Sequence, residues 1–280
     1  MRSKPLALVA AMVVFASACG GAAGPGTTKP DTGWGPDGVL FRIDSEGGFA
    51  PVGWVLGRGP VYTLTDEGGL ISEGAVPAIF PGPLLPYYFV TQLTDGEMGQ
   101  IRDMIDRMGL AGMVSEYDDS NTNFVTDVTT EVITYWDASG THEYAVYGLG
   151  FEAGGAKSTA TRTFAELRSV LDNIAGTRES TPYVAEKIRV IAGEGIANAE
   201  FTDLRDWPLP ETDFSDWVAI DEQWDCKAFD ATELAAFEDA TQVTTWSSPT
   251  DSQGPAELQL LVRPLQPGED DCPSQFTLGG

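Results

Sequence analysis

The sequence predicts an α+β fold of mostly antiparallel sheets with two or three short helices, arranged as two subdomains. Three observations predict it. Several stretches alternate apolar and polar residues around glycine-rich turns, the pattern of hairpins. Two stretches switch to a helical period of apolar residues. The helices follow strand-rich blocks instead of alternating with single strands, which favours antiparallel pairing.

The folded part begins near Gly38. Val39–Asp44 reads as a strand ending at the Gly47-Gly48 turn. Val61–Thr65 and the residues after Glu67-Gly68-Gly69 read as a hairpin, residues 77–86 as a proline-rich loop, and Tyr87–Leu93 as a further strand. Met98, Ile101, Ile105 and Met108 then recur at helical spacing. Thr94 with Glu97 forms a capping box, and Gly109 supplies the C-terminal stop. A second hairpin is expected from Thr130–Trp136 and Glu143–Leu149 about the Asp137–Gly140 turn. A second helix carries Phe164, Leu167, Val170, Leu171 and Ile174, with Thr163 and Glu166 as its capping box and Gly176 at its end. A boundary falls at residues 176–181, so the subdomains are 38–176 and 182–277. The second opens with a strand through Val190. It continues to a short helix over Leu234–Ala240 capped by Asp230 with Glu233, and ends with a strand over Leu258–Val262.

Ahead of these elements, Arg2 and Lys4 precede an apolar run from Pro5 to Ala16. That run is too short to span a hydrocarbon core of roughly 30 Å, and its pattern is that of a signal peptide over residues 1–18. Ala16-Ser17-Ala18-Cys19 resembles a lipobox, the bacterial lipoprotein signal, although Ala16 stands where Leu is more usual. The resemblance implies cleavage before Cys19 and lipidation of its thiol; an ordinary signal-peptidase cut after Ala18 is the alternative. Residues 19–37, rich in Gly, Ala, Pro and Thr, read as a flexible tether. Two or more acyl chains would hold such a chain durably at a membrane, where one gives marginal binding.

The chain has 280 residues and a net charge of -26. Loss of residues 1–18 removes two basic residues and no acid, leaving 14 basic against 42 acidic residues. That field repels nucleic acid and anionic headgroups, so neither is expected as a partner. Once Cys19 is assigned to lipid, Cys226 and Cys272 remain, and two cysteines in an exported chain pair most simply with each other.

Several stretches together resemble a diffuse group of uncharacterised secreted lipoproteins from high-GC Gram-positive bacteria. They are the lipobox, YTLTDEGGLI, LTDGEMGQIRDMIDRMGL, TDVTTEVITYWDASGTHEYAVYGLG, and ATQVTTW with VRPLQPGEDDC between and around Cys226 and Cys272. The resemblance implies an extracytoplasmic location, on the outer face of the cytoplasmic membrane, and supports the Cys226–Cys272 pairing. It implies no activity, cofactor or catalytic residue.

His142 is the single histidine, which excludes sites built on two or more, and no Gly-x-Ser-x-Gly elbow supplies it with a nucleophile. Asp119, Asn121, Asn123 and Asp127 fall at positions 1, 3, 5 and 9 of an EF-hand-like calcium series. Phe124 stands where that loop needs glycine and Thr130 where it needs glutamate, so a solvated Asx-rich turn is the competing reading. Gly268–Asp271 reads as an exposed acidic loop. The tryptophans of the second block, Trp207, Trp217, Trp224 and Trp246, read as core before cleft. Gly53, Gly57 and Gly59 lack the lysine and serine of a phosphate loop. The expectation is therefore a membrane-anchored lipoprotein without catalytic residues or cofactor, binding an envelope ligand or protein or serving a structural role. The alternative is a glycan-directed hydrolase using paired carboxylates.

Overall fold

The computed structural model describes residues 35–49, 52–75, 78–113, 115–119, 126–151, 157–194, 203–210, 213–220, 222–249 and 257–273. Residues 1–34, which hold the expected signal peptide, Cys19 and nearly all of the expected tether, lie outside them, as do Asn121 and Asn123. From Thr32 onward the chain forms one compact unit.

The first part contributes β1 (Val39–Gly47), α1 (Val52–Gly57), β2 (Tyr62–Thr65), β3 (Gly69–Glu73), β4 (Tyr88–Gln92) and α2 (Asp95–Met108). It continues with β5 (Ser115–Asp118), β6 (Thr129–Asp137), β7 (Gly140–Tyr147), α3 (Thr159–Thr177) and β8 (Thr181–Pro182). These strands form an eight-stranded sheet in the order β5-β7-β6-β1-β2-β3-β4-β8, antiparallel except for the β5–β7 pair. The second part adds β9 (Lys187–Glu194), β10 (Asp203–Arg205), β11 (Val218–Ala219), β12 (Trp224–Asp230), β13 (Thr244–Ser247) and β14 (Glu257–Pro264). They form a six-stranded sheet in the order β10-β13-β14-β9-β12-β11, where β10 and β13 run parallel. The fold is α+β with mostly antiparallel sheets.

Both long helices cover one face of the larger sheet. Their buried stripes include Ile101, Ile105 and Met108 of α2 and Phe164, Leu167 and Leu171 of α3, packed with Phe41, Ile43 and Ile133 of the sheet. Each such side chain removed from water contributes about 1.5–3 kcal/mol. The start of α2 follows the sequence reading. Thr94 Oγ1 accepts the Glu97 N–H, while the Thr94 N–H donates to the Glu97 carboxylate. Gly109 closes the helix in the left-handed region at φ 74°. Thr94→Ala should cost about 1 kcal/mol in urea unfolding, whereas a loss near zero would show that the cap contributes nothing.

The second helix departs from expectation. It begins at Thr159, capped by Ser158, whose hydroxyl accepts the Thr161 N–H. Thr163 is buried inside the helix instead of capping it. The helix also runs past Gly176 to Thr177 and stops where Arg178 becomes extended. The sequence-predicted helix near residue 234 is a 3-10 turn over Ala231–Phe237, and Asp230 accepts from the Thr232 N–H at its start.

Along β1, Phe41 and Ile43 pack with the helices, so alternation sends Arg42 and Asp44 to the opposite face, where Arg42 reaches Gly268 O of the second part. Leu56 of α1 packs with Ile191, Trp224 and Cys226. Backbone bonds join the two parts as well: Leu84 N–H to Ala240 O at 2.9 Å and Gln242 N–H to Gly82 O at 3.0 Å.

Candidate functional site

A cluster of buried charged side chains lies where β9 and β14 meet the segment before Cys272. Arg263 of β14 and Arg189 of β9 are direct cross-strand partners, a pairing of like charges that is unfavourable by itself. Both lie on the face shared with Leu261 and Ile191, the face that meets α1. Glu269 resolves the conflict. Its carboxylate accepts two bonds from Arg263, at 2.6 and 2.7 Å, and lies 3.9 Å from Arg189. All three side chains are less than one-tenth exposed. Burial, the largest single influence, raises the Glu269 pKa, but the Arg263 guanidinium, Arg189 and the Gln266 N–H together hold the carboxyl below its ordinary value.

The rest of the segment serves the same pair. Arg189 donates to the backbone carbonyls of Asp270 and Asp271. Arg42 reaches across from the larger sheet to Gly268 O at 3.3 Å and pairs with Asp44 at 2.7 Å. Gly59 sits against this layer, where a Cβ would lie 2.4 Å from the Tyr88 hydroxyl and 3.2 Å from Arg263 Nη1. The segment is fastened at its end by the Cys226–Cys272 disulfide, Cα–Cα 5.9 Å. Gly268–Asp271 is thus not a plain exposed loop. Glu269 is buried beneath it, while Asp271 faces outward to Lys187 at 2.8 Å.

His142 lies on β7, 6% exposed, and here the structure gathers more than the sequence suggested. Nδ1 lies 2.5 Å from Met113 O. Nε2 lies 3.0 Å from both Asp137 Oδ1 and Ser139 Oγ. The residue types are those of a Ser-His-Asp triad, but the arrangement differs. In a triad the aspartate accepts from one ring nitrogen and the serine meets the other. Here Asp137 and Ser139 share one nitrogen, the other is committed to the backbone, and the Ser139 hydroxyl donates to Asp137 at 2.6 Å. The sequence missed this grouping because its residues, spaced 137, 139 and 142, match no hydrolase motif.

Hydrogen bonds from Ser139 and His142 lower the Asp137 pKa to about 2, and the Met113 carbonyl and Asp137 raise that of His142. The Asp137 contribution to stability is present above about pH 3.9 and is lost as pH falls through about 2. The His142 contribution is complete below about pH 6.5 and is lost as pH rises through its higher folded value. Stability of wild type relative to Asp137→Asn should therefore narrow at both ends of the pH scale. A difference that stays constant would contradict the pairing.

The calcium series fares differently. Asp119 lies just beyond β5, and Asp127 adopts a left-handed φ of 61° before β6, a conformation that Asp tolerates better than most residues. Asn121 and Asn123 lie outside the described residues, and no metal-binding cluster occurs among the described residues. Trp217, Trp224 and Trp246 are buried in the core, and Trp207 is half-buried against Phe214 and Trp217. Exposed apolar side chains include Tyr87 and Val184, which adjoin β4 and β8 in sequence, and Phe49, Ile79, Phe80 and Phe151.

No protein-family model, curated protein or solved structure matches the chain. Among the described residues, no helix is long and apolar enough to cross a membrane.

Proposed function

We propose that this chain is an exported lipoprotein, held on the outer face of the cytoplasmic membrane through Cys19, whose folded body is a non-catalytic binding or structural module of the cell envelope. One observation carries the reading: a charged head and short apolar run end at Ala16-Ser17-Ala18-Cys19 and give way to a Gly/Ala/Pro-rich tether. The Cys226–Cys272 disulfide supports it, because such bonds persist in oxidising compartments. The non-catalytic part is supported by how the reactive-looking groups are used. Ser139, His142 and Asp137 bond to one another and to Met113, and Glu269 is committed to two arginines. Its partner is an envelope ligand or protein, approached by a body of strongly negative charge that disfavours nucleic acid.

Two measurements test this. Expressed in a Gram-positive host, the wild-type chain should fractionate with membranes and Cys19→Ala should not; equal membrane association of both would overturn the anchor. Incubation with an alkyl fluorophosphonate should leave Ser139 unmodified, and its labelling would overturn the non-catalytic reading.

A further inference from the structure

We propose that His142 is held as an imidazolium at neutral pH and acts as a proton-operated clasp, fastening the β6–β7 turn to the segment that leads into edge strand β5. The protons available at the ring require it. The Met113 carbonyl can only accept, so Nδ1 must donate to it. The Ser139 hydroxyl has one proton, which it gives to Asp137 Oδ1. Nε2 therefore faces two oxygens, each 3.0 Å away, with no proton available from either. A neutral ring that keeps its Nδ1–H would aim a lone pair at a carboxylate. Rotating the Ser139 hydroxyl toward Nε2 would forfeit its bond to Asp137 and leave that lone pair beside the same carboxylate. A second ring proton satisfies every contact at once, as a charge-assisted bond to Asp137.

The ring joins separate pieces of chain. Asp137 and Ser139 belong to the β6–β7 turn, whereas Met113 follows α2 and lies two residues before β5. β5 is the outermost strand of its sheet and pairs with β7 alone; Ser115–Tyr117 are exposed, while Asp118 at the far end accepts from the Thr161 and Tyr144 hydroxyls, so the clasp governs the end nearer Met113. Facing the ring from β6 is Tyr135, with ring centroids 6.0 Å apart. Arg102 and Asp106 of α2 act on Tyr135, and among the described residues Asp137 is the charged group that acts on His142. Ser115 of β5 reaches Glu143, the next residue on β7, at 3.4 Å. Loss of the ring proton turns the Nε2–Asp137 contact from attraction to repulsion, and the ring's grip on Met113 loosens with it.

Because His142 is the single histidine, its ring gives the one imidazole signal in a long-range proton–nitrogen NMR spectrum of the folded body. At about pH 7.5, above the ordinary histidine value of about 6.5, both ring nitrogens should carry protons, and Asp137→Asn should lower the midpoint. A neutral ring at that pH would overturn the assignment. Amide exchange of Ser115–Tyr117, corrected for intrinsic pH dependence, should rise about tenfold as pH passes the midpoint, the scale expected for one charge-assisted bond. In His142→Gln that rise should vanish. Should the glutamine variant fail to fold, Asp137→Asn supplies the same test, because its exchange rise should move to lower pH with the ring midpoint. A ring that titrates while β5 exchange follows the intrinsic rate alone would overturn the clasp.

Discussion

Replacing Glu269 with glutamine should destabilise the protein by about 3–5 kcal/mol, the loss expected when one member of a buried ion pair is removed and its partner stays behind. The reason lies in what is left. Arg189 and Arg263 are opposed on neighbouring strands, both buried, and Glu269 is the carboxylate that bonds directly to Arg263 and lies nearest Arg189 between them. Glutamine keeps the shape and an oxygen acceptor but removes the charge. The appropriate control is Glu238→Gln on the surface, expected within about 0.5 kcal/mol of wild type. Because the Glu269 pKa is depressed in the fold, its contribution should be present above about pH 4.3 and fall away as acid titrates it. Equal urea midpoints for the two variants at pH 7 would contradict the assigned role.

Breaking the Cys226–Cys272 bond, by a double substitution to serine, should cost about 4 kcal/mol in the chain-entropy account of a loop this long, with a sequence separation of 46. A further consequence comes from position. Cys272 follows Asp271 and Asp270, whose carbonyls bind Arg189, and it lies three residues beyond Glu269. The disulfide therefore holds in place the segment that neutralises the two arginines. Its loss and the loss of Glu269 should be non-additive, the triple variant being less destabilised than the separate costs combined, with a coupling of about 0.5–3 kcal/mol. Strict additivity would show that the arginine layer and the covalent closure are independent.

What the sequence revealed and what it withheld follow from the range of the interactions. Thr94, Glu97 and Gly109 act within a few residues of one another, so the limits of α2 were readable from local chemistry. The β6–β7 hairpin was readable for the same reason, as its turn brackets its own strands. The cap of α3 was misplaced because Thr163 and Ser158 both satisfy a local rule, and packing against the sheet decided between them. Strands β5 and β10 escaped notice: each is short and pairs in parallel with a strand distant in sequence. The role of Glu269 was hidden more deeply, since Arg189 is 80 residues away and the cluster GEDD looks solvated. A signal was present nonetheless. Arg189 in KIRVIAG and Arg263 in LQLLVRP interrupt apolar strands, and an arginine in such a place calls for a buried acceptor. The His142 grouping was half visible, because Asp137, Ser139 and His142 are close in sequence while Met113 is joined to them only by the path of the chain between α2 and β5.

The proposed location can be tested on one molecule. Mass spectrometry of the protein isolated from membranes of its own host should find a mature chain that starts at residue 19, its first residue heavier by a thioether-linked diacylglycerol. An N-terminus elsewhere, or an unmodified Cys19 thiol, would contradict the account.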